Sequence, residues 1–410
     1  MLALPAVAIG QPVTERVSVS SRGVQGNSYS FEPLVSDGGR YAVFVSEASN
    51  LVRHDRNRAP DIFRRDRFKG TTRRLVWSVP SYLGVPNPFY FDAPLLGFID
   101  SGRSSYRYLL RDLRTRVDVQ LNLDSRGRPV QMTPDAGVDV SAGGRYFAFA
   151  NTDRVVPGDE NGQSDVFVRD VQAATTTRAS LGTGGAEGNG PSSGPAVSAD
   201  GRFVAFVSDA SNLVPGDTDG VKDVFLRDRV AGTTSRMSLG TNGAQANAGS
   251  DGASISADGR LVAFSSDATN LVSGDSNGTT DVFVRDRQTG ITTRISVSSS
   301  GKQANGLSWG AKFIGPRLVR FGTAATNLVG GAGGYLVHDV STGRTSRAAP
   351  SPPPSATSES SYPITFSPDG RWIAFSSESS ELVRRDTNRR QDAFVHGPLA
   401  TPFTLPDGMG

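Results

Sequence analysis

Short apolar runs recur along this chain, each bounded by Gly, Asp, Asn, Ser or Thr. The clearest set lies between residues 250 and 298. "LVAFSS" (261–266) has a continuous apolar centre, the pattern of a strand covered on both faces. "SDGASIS" (250–256), "DVFVRD" (281–286) and "TTRISVS" (292–298) read as three more strands. Between them, "ADGR" and "RQTG" supply tight turns in which Gly takes the φ > 0 position. The second and third strands are joined by a long polar loop instead. The result is four antiparallel strands in one repeat unit.

The unit recurs. "TDRVVPGDENGQSDVFVRD", "SNLVPGDTDGVKDVFLRD" and "TNLVSGDSNGTTDVFVRD" end at Asp170, Asp228 and Asp286, two steps of 58 residues. Weaker copies of the third strand end at Asp66, Asp112, Asp339 and Gly397, which makes seven. The "SADGR" turn appears at Ser198–Arg202 and Ser256–Arg260, and in variant form at Ser36–Arg40, Ser141–Arg145 and Ser367–Arg371. Copy six degrades it to "IGPR", and copy two, around "DAPLLGFID", has lost it. Seven repeats of a four-stranded unit predict an all-β, seven-bladed β-propeller.

The last copy has a third strand but no following "TTR" strand, whereas "TERVSVS" (14–20) at the other end matches that strand. Residues 16–20 are therefore expected to pair with 392–396 and remove two free sheet edges. "TPFTL" (401–405) is the weaker candidate, because it lacks Thr-x-Arg. The expected organisation is 1–13 as leader remnant or tail, 14–399 as one propeller domain, and 400–410 as a C-terminal tail.

"SPDGRWIAFSS" (367–377) resembles the repeat of TolB-type propellers, a WD-like class. Five copies match well, across roughly residues 14–399. The resemblance implies the fold and an exported, bacterial protein. It implies little about activity, since such propellers host unrelated tasks.

Composition narrows the rest. The chain has 410 residues and a net charge of +3, with four lysines (Lys69, Lys222, Lys302 and Lys312) among its 43 basic residues. That balance makes no case for nucleic acid or a membrane surface. Cysteine is absent, which excludes disulfides and thiolate metal sites. No segment approaches the ~18 apolar residues of a spanning helix. The opening "MLALPAVAIG" has the small apolar character of an export-signal remnant. A secreted or periplasmic monomer is the expectation.

The candidate chemistry lies in the loop between the second and third strands. Asp-x-(Asn/Asp)-x-x-x-Asp occurs five times: Asp55/Asn57/Asp61, Asp159/Asn161/Asp165, Asp217/Asp219/Asp223, Asp275/Asn277/Asp281 and Asp386/Asn388/Asp392. Calcium is a possible ligand, but it takes 6–8 oxygens. Position 5 here is Ala59, Gln163, Val221, Thr279 or Arg390, and no late Glu follows. The preferred reading is structural: a turn whose last Asp accepts backbone N–H groups at the start of strand three. "GDSNG" around Ser276 and "GPSSG" (190–194) fit G-x-S-x-G without a helix to follow. His338 and His396 stand in a column that is Arg65, Arg111, Arg169, Arg227 and Arg285 elsewhere, and His54 replaces a loop Gly. The repeat thus explains all three histidines. The Arg column is expected to pair with acids or carbonyls between blades.

In a four-stranded blade, the second-to-third loop and the loop leading to the next blade leave the same face. The latter repeats Gln25-Gly-Asn27, Glu187-Gly-Asn189, Gln245-Ala-Asn247 and Gln303-Ala-Asn305. Long repeated loops on one face suit a non-catalytic scaffold that binds a protein or glycan partner. The alternatives are a hydrolase or lyase acting on a glycan or peptide at the channel, and a calcium-stabilised adhesion module. No blade-specific acid, His or Tyr cluster for the first alternative is visible in the sequence.

Overall fold

A computed structural model describes residues 13–57, 59–76, 87–101, 106–133, 137–330, 333–348 and 364–399. The expected export-signal remnant "MLALPAVAIG" (1–10) and "TPFTL" (401–405) lie outside the described residues. The described residues form seven four-stranded antiparallel sheets, the blades of a β-propeller. Two compact units divide the chain, one from residues 1–96 and 349–410, the other from 97–348.

The second unit contains blades three to six. Blade five shows the rule: Ser250–Ile255, Leu261–Ser266, Asp281–Asp286 and Ile291–Arg294 lie side by side in chain order. Leu261 pairs with Asp286 and Ser266 with Asp281, so the continuous apolar run sits between two partner strands. Phe264 and Phe283 face each other across those strands with ring centroids 5.8 Å apart. Phe206 and Phe225 repeat that contact in blade four. Burying such rings contributes about 1.5–3 kcal/mol each.

Neighbouring blades lock through the tight turns. Gly259 has φ +71°, and a Cβ there would come 2.2 Å from the Phe203 ring of blade four. Arg287 then stacks on the other part of that ring, 4.1 Å from its centroid. Gly201 lies on Tyr146 in the same manner, and in the first unit Gly39 lies on Trp372. The Asp-Gly-Arg turn is thus both a φ > 0 turn and a packing surface. Gly259→Ala is expected to destabilise by about 1–3 kcal/mol through overpacking and backbone strain. Urea unfolding measures it, and an unchanged midpoint would contradict the contact.

The first unit contains blades one and seven. Blade seven is completed by Val13–Arg16, which pairs with the third strand Asp392–Gly397. The expected clasp therefore exists, with a corrected register: Val13 faces Gly397 and Arg16 faces Phe394. Ser18 to Ser20 have already turned away, and Val19 bridges Gln25. The reason is the repeat itself. Arg178 faces Phe167 and Arg294 faces Phe283, so Arg16 takes the place of those arginines.

Candidate functional site

The Asp loops are built around an arginine. In the second unit, Asp165, Asp223 and Asp281 open their third strands and are fully buried. Arg178, Arg236 and Arg294 end the adjacent fourth strands and reach back into the loop. Arg178 lies 3.4 Å from Asp159 and 3.1 Å from Asp165. Arg236 lies 3.2 Å from Asp217 and 3.4 Å from Asp223, and Arg294 lies 3.2 Å from Asp275 and 3.4 Å from Asp281. In the first unit, Arg74 is 2.9 Å from both Asp55 and Asp61. Arg16 is 3.2 Å from Asp386 and 3.3 Å from Asp392. The loop reading missed this counter-ion, although its signal is in the sequence: an Arg 13 residues after the closing Asp in four copies.

The closing Asp also differs from expectation. Its donors are side chains rather than backbone N–H groups. Ser180, Ser238, Ser296 and Ser18 donate to Asp165, Asp223, Asp281 and Asp392. The serine in turn accepts the strand's backbone N–H, as Val282 N donates to Ser296 Oγ at 3.1 Å. The hydroxyl spares the carboxylate for the arginine and the loop Asn. Asn161 and Asn277 donate to their Asp at 3.1 Å, Asn57 at 2.9 Å and Asn388 at 3.3 Å. Burial pushes Asp55, Asp159, Asp217 and Asp275 up from the usual carboxylate range, and Asp223 up to about 6.

The inter-blade loop signal joins the same network. Gln303 Nε2 donates to Asp275 at 2.8 Å and Asp281 at 3.2 Å. Gln25 Nε2 donates to Asp386 at 2.8 Å and Asp392 at 2.9 Å. The asparagines that follow form a second clasp. Asn247 accepts from Thr269 N and donates its own N–H to Asn270, whose amide donates to Gln245 O. Asn27/Asn50, Asn189/Asn212 and Asn305/Asn327 repeat it. The long loops are held to one another by side chains.

The other candidates stay apart. His338 and His396 each contact the Thr of their own fourth strand position, Thr345 and Thr14, at 2.9 Å. His54 is an exposed loop residue at φ 63°. Ser276 contacts Gln303, and a strand follows it. In the arginine column, Arg65, Arg227 and Arg285 bond to carbonyls, as Arg285 does to Leu239 O at 3.0 Å, whereas Arg111 pairs with Asp118.

One position escaped the sequence reading. The first strand of each blade borders the axis of a propeller. In four blades this strand carries a bulge, whose φ > 0 residue is Gly194, Gly252, Gly310 or Glu32. Glu32 is the non-glycine among them, at φ 50°. A left-handed backbone costs a side-chain-bearing residue about 1–2 kcal/mol, and burial pushes this carboxyl up to about 7. In the second unit, Asp139 is also blade-specific. It accepts Val197 N at 2.9 Å and lies 3.8 Å from Lys312. Blade-specific acids thus occur singly on first strands, whereas the sequence reading concerned a cluster of them, and these two lie in different units. No turn or alternation signal marked them.

No family description matches the sequence, and no curated protein does. Solved structures do. The acylaminoacyl peptidase of Pyrococcus horikoshii matches with a TM-score of 0.51 at 10% identity, over 91% of this chain and 52% of that one. The oligogalacturonate lyase of Vibrio parahaemolyticus matches with a TM-score of 0.50 at 9% identity, over 95% of this chain and 98% of that one. TolB of Acinetobacter baumannii matches with a TM-score of 0.41 at 14% identity, over 78% of this chain. The chain resembles the TolB-type propellers. It spans 62% of the length of that TolB and 33% of the tricorn protease, another structure it matches. At these identities the likeness concerns the fold.

Proposed function

We propose that the protein is a non-catalytic scaffold, working outside the cytoplasm, that binds a protein or glycan partner on its loop-bearing face. The supporting observation is a contrast within the second unit. The loop framework repeats from blade to blade, yet the side chains at the start of the first strands do not. Blade six shows Leu307 and Trp309, 45% and 43% exposed, where blade five has Gly249 and Asp251. Gly322 provides the flat surface under the Trp309 indole, 2.8 Å from where a Cβ would sit. An exposed, positioned Trp on a stiff frame is the kind of residue that dominates binding energy. Among the described residues, no helix is long and apolar enough to cross a membrane.

Trp309→Ala is expected to abolish capture of a partner from extracts or from glycan arrays while leaving the melting temperature within about 1–2 °C, as for a surface change. A partner retained equally by the parent and the variant would overturn the role of this face.

Glu32 favours a second reading, catalysis at the channel on a polymeric glycan or peptide, because strained, titratable positions cluster at active sites. Loss of a measured hydrolase or lyase activity in Glu32→Gln would support it. The same residue carries a stability prediction. The folded state holds the Glu32 proton up to about pH 7, whereas a solvated glutamate loses it near 4.5. Parent stability should thus fall relative to Glu32→Gln as pH rises between those values. Parallel pH-dependent melts that never diverge would contradict the buried carboxyl.

A further inference from the structure

We infer that the blade-four loop, one of the five Asp loops, is a divalent-cation site of the calcium type; the blade-three loop also gathers three acids, Asp159, Asp165 and Glu187, but there Asn161 and Arg178 donate to them. In the other four, the middle residue is Asn57, Asn161, Asn277 or Asn388, and its amide donates to the closing Asp. Three of those amides also donate to a backbone carbonyl: Gly188 at 3.0 Å, Ala304 at 3.0 Å and Gly26 at 2.9 Å. Blade four has Asp219 in that place. The backbone is the same, since Val221 N donates to Asp219 Oδ1 as Gln163 N and Thr279 N do to their asparagines. Only the donor has become an acceptor.

The consequences are visible around it. Asp223 is fully buried, and its Oδ2, the atom the asparagine serves in blades three, five and seven, has no hydrogen-bond donor. Its nearest cation is Arg236 at 3.4 Å. Gln303 and Gln25 donate to the acids of their loops, but Gln245 makes no such bond. Carboxylate oxygens of Asp217, Asp219 and Asp223 lie within 4.8 Å of one another. Ala246 holds the place of Gly188 and Ala304, so its carbonyl belongs to the same shell. The site is thus a set of oxygens where the sister loops hold an NH2 group. Three carboxylates against one guanidinium leave two negative charges, the match for a divalent ion. Hard oxygen donors select calcium or magnesium, and a loop with irregular geometry favours the larger ion.

The test is a calorimetric titration of the whole protein with calcium chloride, beside Asp219→Asn, which restores the asparagine of the sister loops and so preserves folding. The parent should show one saturable site with a Kd on the order of 10⁻⁴–10⁻³ M, the range of extracellular modules. The variant should lose at least about tenfold in affinity. Excess calcium should raise the parent's melting temperature over excess chelator and leave the variant's unchanged. Absence of saturable binding, or equal binding and equal melts in parent and Asp219→Asn, would overturn the site.

Discussion

Removal of residues 1 to 21 is expected to destabilise the protein by about 5 kcal/mol or more, enough to unfold blade seven at ordinary temperatures. Val17 is fully buried among Ala374, Ala393 and Val395, and its loss removes about 1.5–3 kcal/mol of burial. Arg16 is the cation between Asp386 and Asp392, whose side chains are 3% and 0% exposed. Removing one partner of a buried ion pair costs about 3–5 kcal/mol. Ser18 takes its hydrogen bond to Asp392 with it. The deletion also bares the edge of Asp392–Gly397, a template for self-association. Differential scanning calorimetry and light scattering report both effects. Arg16→Ala separates them, since it should lose the ion-pair share while keeping the strand. A truncated protein that melts like its parent would refute the clasp.

Asp281→Ala is expected to cost about 3 kcal/mol, within the range for a buried charge partner. Four donors converge on this carboxylate: Ser296 on one oxygen, and Asn277, Gln303 and Arg294 on the other. All four lose an acceptor, the Ser296 hydroxyl in a fully buried position, and unmade bonds to charged groups cost about 1.5–3 kcal/mol. Asp275→Ala should cost less, because Arg294 and Gln303 keep Asp281. Chemical denaturation of the two variants ranks them. Equal effects would mean that the loop, rather than its closing acid, organises the network. Neither variant's cost should depend on calcium, since the proposed cation site lies in blade four.

Much of this was legible in the chain. The 58-residue steps, the Asp-Gly-Arg turns and the missing last strand predict seven blades and an N-terminal clasp, because strand and turn preferences act over a few neighbouring residues. The Asp loops were legible as a motif, but their chemistry was not. Their partners stand elsewhere: Arg294 lies 13 residues after Asp281, and Gln25 lies 367 residues from Asp392. The single Asn-to-Asp change at 219 was visible as a letter, yet its meaning depends on which atom the sister asparagines serve.

Glu32 marks the division most clearly. By itself the sequence determined the architecture: where strands run, where glycine must turn the chain, and how many blades result. Those features follow from backbone sterics and the alternation of apolar residues, which are local. The tertiary structure decided the charges. A carboxylate is a solvated loop residue, a buried ion-pair partner or a high-pKa acid on a strained bulge according to what packs within a few ångströms of it. Electrostatic and desolvation energies depend on that distance and burial, and neither is written in the order of residues.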